Sequence, residues 1–471
     1  SVKVFPKHFN NTLVKWLENI EDWCISRQLW WGHQIPAWYH KKTGKIVVDK
    51  PKNIEEYIQD EDVFDTWFSS SLWPFAVMGQ HTNEKEYDLF FPTDVLVTAY
   101  DIIFFWVARM MMMSKEVTQK IPFKKLFIHG LIRDEKGQKL SKSLGNFVDL
   151  FEMCDKFGVD ALRLFLVSNS TIGQDLFFSE SKLKSASNFL NKLWNIAVFV
   201  DINKSTVKSL TDFDELNNFD KWILNKVNSL SIEFRNDFDN FNYVVGIKKL
   251  IDFIRNDFSG IYIDLNRIRL KNDNNFISIC YEILKNVLIM LHPICCFVTE
   301  EIYINLYHDH KSILLENWPL NKNIENELII DDALLILEDV RSFKWSNKLS
   351  KKDHISIRIF FEKNIDKKTI ENILSFENTE IIFLKEPFSK NFISENEIAS
   401  VVNHFVIIYK KIINDYDFET DKKIIKNLEL EIKRSKAILS NQGFLKKAPK
   451  DLIEKEKNKL NLNKKKLKEF L

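Results

Sequence analysis

Cysteine is scarce in this 471-residue chain: Cys24, Cys154, Cys280, Cys295 and Cys296 are all there is. None stands in a C-x-x-C pair, and the adjacent Cys295 and Cys296 would leave a helix in different directions. A disulfide framework and a structural zinc site are therefore not expected, and a reducing compartment is. Glycine is also rare, with 11 residues where about 7% is usual. Phe is heavy at 39, a skew that fits the codon drift of an AT-rich genome. Each glycine in a tight motif then carries more information than usual. Charge of one sign is missing too: 67 Lys and Arg against 66 Asp and Glu leave +1, which excludes a uniformly basic coat but not a local basic patch. No long apolar run escapes charge. The most apolar stretch, Val95 to Met113, contains Asp101 and Arg109 and is not a membrane span. The opening, SVKVFPKHFNN, does not read as a secretory leader, and the expectation is a cytoplasmic protein.

What is present reads as several units, about three at roughly 150 residues each. Residues 1–184 alternate strand-like runs, VLVTA (Val95 to Ala99) and KLFIHG (Lys125 to Gly130), with helical segments such as Asp101 to Met113. That βαβ grammar implies a parallel sheet whose ligands sit beyond the carboxyl ends of its strands. Residues 185–320 carry long helical periods, among them Leu183 to Val200, Lys221 to Phe238, Val244 to Asp257 and Ile277 to Leu291, and predict a helical bundle. Residues 321–420 mix helices with the β-rich runs HISIRIFF and EIIFL, a small α/β module. In residues 421–471, Ile425, Leu428, Ile432, Ser435 and Leu439 step by three and four, and Ile453, Leu460 and Leu467 by seven, around a turn with Gly443 and Pro449. These heptads predict an antiparallel coiled-coil hairpin. It holds 16 Lys or Arg against 7 Asp or Glu, so a basic arm hides within the near-neutral total. An arm of that charge suits nucleic-acid phosphates, or is simply a soluble coiled coil. Arg255, Arg267 and Arg269 could touch RNA, and solvated helix faces explain them as well.

The sharpest chemistry lies in RDEKGQKLSKSLGN, Arg133 to Asn146. Lys139 and Lys142 alternate with Ser141 and Ser143, ammonium and hydroxyl donors suited to a polyphosphate. A solvated surface loop is the plain alternative for such a string by itself. Its context is LFIHG before it and GVDALRLFL after it. With that context, KLSKS resembles the KMSKS signature of class I aminoacyl-tRNA synthetases, with Leu140 in the Met place. DWCISRQLWWGHQIPAWY (Asp22 to Tyr39), DEDVFDTWFSSSLWPF (Asp60 to Phe75), FPTDVLVTAYDIIFFWVARMMM (Phe91 to Met112) and the tail SNQGFLKKAPKDLIEKEKNKL (Ser440 to Leu460) resemble the valyl-tRNA synthetase family.

The resemblance implies a multidomain α/β plus α protein. Its parts would be the second half of a Rossmann-like catalytic domain, a helical anticodon-binding bundle, its small α/β extension and a coiled-coil tRNA-binding arm. It implies ATP, with Mg²⁺ accompanying the nucleotide and no zinc, and valine and tRNA(Val) as partners. Lys142 and Lys139 become the catalytic lysines. Ser141, Ser143, His129, Gly130 and Asp101 join them around ATP, and Trp31 and Trp67 wall the amino-acid pocket. Asp101 serves equally well as a helix cap. No H-x-G-H string of the family's HIGH type is found, and His33 sits in a different block, WGHQ. Nor is the editing domain found, and residues 1–20 read as its exit strand. The expectation is a C-terminal half that is inactive alone and needs the N-terminal half as partner. A non-catalytic tRNA-binding descendant and an isoleucyl enzyme are the alternatives.

Overall fold

The computed structural model describes residues 2–410 except 139, 141–144, 208–215, 272, 308–310, 320–328, 362–366, 390–391 and 395–396, and beyond them Ile432, Ser435, Leu439 and Leu460. The chain divides into two compact units, Ser1–Glu327 and Leu328–Leu471.

The first unit begins with β1 (Lys3–Phe5) and α1 (His8–Glu18). A three-stranded antiparallel sheet follows, with β2 (Ala37–His40) between β3 (Ile46–Val48) and β4 (Tyr57–Gln59), and then the short α2 (Thr66–Ser71). Next come β5 (Thr93–Ala99), a π-helical stretch Ile103–Ala108 that runs into α3 (Arg109–Thr118), and β6 (Phe123–His129). β5 and β6 pair in parallel, and β1 pairs in parallel with the other edge of β6, Val4 opposite Leu126. Residues 1–20 thus supply a strand to this sheet and a helix that packs on it. Three residues are too few for alternation to reveal a strand's partner. Leu96, Leu126 and Ile128 turn to one face, where Ile103, Val107, Ala108 and Met110 of the crossover helix and Leu13 of α1 cover them. Each such side chain withdrawn from water contributes about 1.5–3 kcal/mol.

The second half of the unit starts with β7 (Ile132–Arg133), then α4 (Leu150–Phe157) and α5 (Val159–Asn169). Asp149 starts α4 by accepting from the Phe151 and Glu152 amides. Gly158 ends it with φ +92°, a left-handed backbone that favours glycine, and the chain turns at once into α5. β8 (Leu176–Phe177) pairs in parallel with β7. The helices of the bundle are α6 (Glu180–Asn203), α7 (Asn218–Asp239), α8 (Tyr243–Asp252), α9 (Asn274–Leu291) and α10 (Cys296–Tyr307). The expected boundary at 184/185 falls inside α6, one continuous helix. α9 lies at the centre of the bundle, and Ile277, Cys280, Ile283, Leu284, Val287, Leu288 and Leu291 are all buried. A helix apolar on nearly every side belongs in a core.

The second unit opens with α11 (Ile329–Ser346), then β9 (Ile355–Phe360), α12 (Lys367–Leu374), β10 (Thr379–Leu384), β11 (Glu397–Val402) and β12 (Phe405–Lys410). Its strand order is β10-β9-β12-β11, with β9 and β10 parallel and the other pairs antiparallel. α11 packs on one face, where Phe343 stacks on Tyr409 at 4.1 Å and Asp339 accepts from Tyr409 Oη and Ser400 Oγ. Ile432, Ser435, Leu439 and Leu460 are helical. The rest of the expected hairpin lies outside the described residues.

Candidate functional site

Ligands of parallel sheets gather where the strands end, and the carboxyl ends of β5 and β6 carry the residues singled out above. Ala99 ends β5, and Tyr100 and Asp101 follow in a 3₁₀ turn. Asp101 is exposed, in the first turn of that 3₁₀ segment. His129 ends β6 half-buried, with its Nδ1 2.7 Å from the Gly130 carbonyl. At Gly130 a Cβ would fall 1.9 Å from the Gln174 carbonyl oxygen, so the turn 171–175 presses directly on its backbone. That turn is tied to β6 and to Leu131 by Gly173 N–H to Ile128 O at 3.0 Å and Leu176 N–H to Leu131 O at 2.8 Å.

Asp175 closes this corner. Its Oδ1 accepts from Tyr100 Oη at 2.9 Å and from the Leu131 amide at 2.8 Å. Its Oδ2 accepts from Arg133 Nε, while Arg133 Nη1 donates to the Gly137 carbonyl at 3.2 Å. Burial pushes the Asp175 carboxyl up, but the hydrogen bonds from Arg133, Leu131 and Tyr100 outweigh it and hold the group below the ordinary carboxylate range. Sequence reasoning quoted the strings that contain Tyr100 and Arg133, but passed over Asp175. Its one local signal is the Gly-Gln-Asp turn before β8.

Beyond Arg133 the chain makes a tight turn held by Asp134. Asp134 Oδ1 accepts from the Lys136 and Gln138 amides at 3.0 and 2.8 Å, and Oδ2 accepts from Asn146 Nδ2 at 2.9 Å. The Asn146 amide, with the Gln138 amide after it, holds the Asp134 carboxyl below its ordinary range. Gln138 and Asn146, which flank the KLSKS segment in the sequence, are thereby tied to one carboxylate. Lys139, Ser141, Lys142 and Ser143 themselves lie outside the described residues.

The aromatic side of the site is built on α2. Asp65 caps that helix by accepting from the Trp67 amide at 2.9 Å, and Arg27 pairs with the same carboxylate at 2.8 Å. Trp67 is half-buried and stacks on Phe105 at 5.6 Å. The Arg109 guanidinium lies 3.4 Å from the centre of the Trp23 ring, a close cation–π contact. Trp31 is 93% exposed, so it stands out from this cluster instead of packing in it.

The bundle arginines differ from one another. Arg269 is no solvated side chain: Nη1 and Nη2 each reach the buried Asp220 at 2.7 Å, and Asp273 accepts at 2.6 Å. Arg255 donates to the Ser185 carbonyl, and Arg267 lies over Phe199. The block His292 to Tyr303 docks on α5. Asp160 Oδ2 accepts from the Val298 amide at 2.7 Å, at the start of α10. Arg163 Nε donates to the Ile294 carbonyl at 2.7 Å, just past the end of α9. One acid and one base on α5 thus complement the positive and negative ends of two bundle helices.

All five cysteines are unpaired. Among the described residues, no group of three or more His, Cys, Asp or Glu could hold a metal ion, and no helix is long and apolar enough to cross a membrane.

Comparison with known proteins gives three family matches. Residues 1–56 and 49–179 match tRNA synthetases class I (I, L, M and V), residues 220–359 the anticodon-binding domain of tRNA ligase, and residues 420–470 the valyl tRNA synthetase tRNA binding arm. The valine–tRNA ligase of Ureaplasma parvum is 41% identical over 98% of this chain and 54% of its own length. That of Malacoplasma penetrans is 42% identical over 96% and 53%. Among solved structures, Agrobacterium radiobacter LeuRS in a ternary complex with tRNA and LeuAMS aligns with a TM-score of 0.55 at 18% identity, covering 67% of this chain and 46% of the other. Mycobacterium tuberculosis methionyl-tRNA synthetase bound by methionyl-adenylate aligns at 0.51 and 19%, covering 64% and 57%. At that identity the structural likeness speaks for the fold alone. The chain spans about half the length of the curated relatives it matches. With a parallel sheet, family matches that include the valyl tRNA-binding arm, and near-complete coverage of this chain at about 40% identity, the chain belongs to the valyl-tRNA synthetase family of the class I aminoacyl-tRNA synthetases.

Proposed function

We propose that this chain serves valine–tRNA ligation: ATP-dependent activation of valine and transfer of the valyl group to tRNA(Val). The observation that carries the reading is the 41–42% identity to two valine–tRNA ligases across nearly the whole chain. In the first step a valine carboxylate oxygen attacks the α-phosphorus of ATP. The bond to the β-phosphate oxygen breaks and pyrophosphate leaves. In the second, a ribose hydroxyl at the tRNA 3′ end takes the acyl group and AMP leaves. No side-chain nucleophile is needed, so catalysis rests on positioning and charge stabilisation.

In this reading Lys142 and Lys139 neutralise charge on the departing pyrophosphate, and Ser141 and Ser143 donate to its oxygens. His129 and Gly130 present backbone to the adenine, and Asp101, exposed beyond β5, accepts from ribose hydroxyls. Trp67 walls the valine side chain, where a rigid ring sets pocket size at little entropy cost, and Trp31, 93% exposed, supplies the second wall by closing over bound valine. Mg²⁺ would accompany the ATP phosphates and offset their charge, as the family resemblance implies.

Residues 1–184 form the nucleotide half-site, 185–320 with 321–420 the anticodon-binding region, and 421–471 a basic arm along tRNA phosphates. The work takes place in the cytoplasm, together with the part of the ligase that the longer relatives carry. The test is valine-dependent ATP–pyrophosphate exchange and valylation by this chain alone and by this chain co-expressed with the remaining part of the Ureaplasma parvum ligase. Activity is expected only in the second case, with valine and not isoleucine. Exchange by the chain alone would overturn the division of labour, and charging with isoleucine would overturn the specificity.

A further inference from the structure

The three segments at the strand ends come from distant parts of the sequence. Tyr100 follows β5, Leu131–Arg133 follows β6, and the turn at Gly137 lies beyond β7. One carboxylate gathers them. Asp175 takes the Tyr100 hydroxyl and the Leu131 amide on Oδ1, and the Arg133 guanidinium on Oδ2. Arg133 extends the tie to the Gly137 carbonyl, and its Nη2 reaches the Tyr100 hydroxyl at 3.5 Å. Asp175 is itself held in place, because its neighbour Gln174 lies against Gly130 so closely that no side chain fits there.

We propose that Asp175 is a positioning residue for the nucleotide, setting the distance between the Tyr100–Gly130 side of the site and the Arg133–Gln138 turn. The proposal rests on reading these strand ends as the ATP site. Asp175 acts through the protein: its carboxylate accepts from three donors, the Tyr100 hydroxyl, the Leu131 amide and the Arg133 guanidinium. What it supplies is a fixed frame, and ordering that frame before ATP arrives removes a cost from binding.

Hydrogen exchange on the full chain tests this, with ATP itself as the probe. In Asp175→Asn, the Leu131 amide is expected to exchange about tenfold faster, the loss of a charge-assisted acceptor, while α9 amides keep their protection. In the unaltered chain, ATP is expected to slow exchange over residues 130–138. The half-protecting ATP concentration should rise about tenfold in Asp175→Asn and about threefold in Tyr100→Phe, which loses only one hydroxyl. Tyr100→Phe keeps the test open if Asp175→Asn does not fold. Protection by ATP with the same half-protecting concentration in the variants overturns the role of Asp175. No protection in the unaltered chain overturns the nucleotide reading and the role with it, whatever Leu131 does. A merely structural Asp175 would speed exchange at Leu131 and leave the ATP concentration unmoved.

Discussion

Replacing Asp220 by Ala should loosen the bundle more than any surface change, and the structure supplies the size of the effect. Asp220 is 1% exposed and accepts from Arg269 Nη1 and Nη2 at 2.7 Å each and from Tyr262 Oη at 2.6 Å. Breaking a buried ion pair by removing one partner costs about 3–5 kcal/mol, because the remaining charge stays buried. Stranding the Tyr262 hydroxyl adds about 1–3 kcal/mol. Against this, Arg269 keeps Asp273, whose carboxylate it reaches at 2.6 Å. The lower end of the combined range, about 4 kcal/mol, is the expectation. Two compact units make a single global unfolding curve ambiguous, so the assay is native-state hydrogen exchange of α7 and α9 amides. At 1.4 kcal/mol per tenfold, exchange that follows bundle opening should accelerate about 10²–10³-fold, capped by the stability of the bundle. The double variant Asp220→Ala with Arg269→Met should cost less than Asp220→Ala alone, since no buried charge is left behind. Acceleration below about tenfold, or a double variant as costly as the two single variants added, would refute the reasoning.

Gly130→Ala should cost about 3 kcal/mol or more, because its Cβ meets backbone and not a movable side chain; loss of protection at the Leu176 amide reads it. Asp160 is held above the ordinary carboxylate value by burial, so the folded state binds its proton more tightly than the unfolded state. Its contribution to stability is then fully present below about pH 3.9 and is lost as pH rises through the raised folded value. Asp160→Asn should flatten this part of the stability–pH curve above about pH 3.9, read from the protection of α5 amides in hydrogen exchange, and an unchanged slope would count against it. In the assembled ligase, Lys142→Ala should lower valine-dependent pyrophosphate exchange about 10²–10³-fold with little change in tRNA(Val) retention on gels; near-full activity would remove Lys142 from the chemistry.

Much of the architecture was legible because it is written locally. VLVTA and KLFIHG are dense in β-branched and apolar residues, and the largely apolar helix between them is long enough for a crossover connection, hence a parallel pair. The helical periods from Leu183 to Leu291 are long enough to outvote noise, and HISIRIFF and EIIFL became the parallel pair β9 and β10. The strands β11 and β12, EIASVV and FVIIYK, carry β-rich runs of the same kind that the sequence reading passed over. The lysine–serine motif was legible for another reason: its spacing is chemistry, and chemistry of that kind is carried by adjacent residues.

What the chain order conceals is partnership. Arg269 looks like any arginine on a helix until Asp220, 49 residues away, is folded against it. Asp175 is separated by 42 residues from Arg133 and by 75 from Tyr100, and no local pattern says that one carboxylate will hold both. The short run Lys3–Phe5 is a strand only because β6 offers it an edge. Periodicity reports which face of an element is apolar, and so the sequence by itself determined the elements and the family. Which charges pair, and therefore which residues brace the strand ends, depends on distances between segments that the chain brings together only on folding, and the tertiary structure alone decided those.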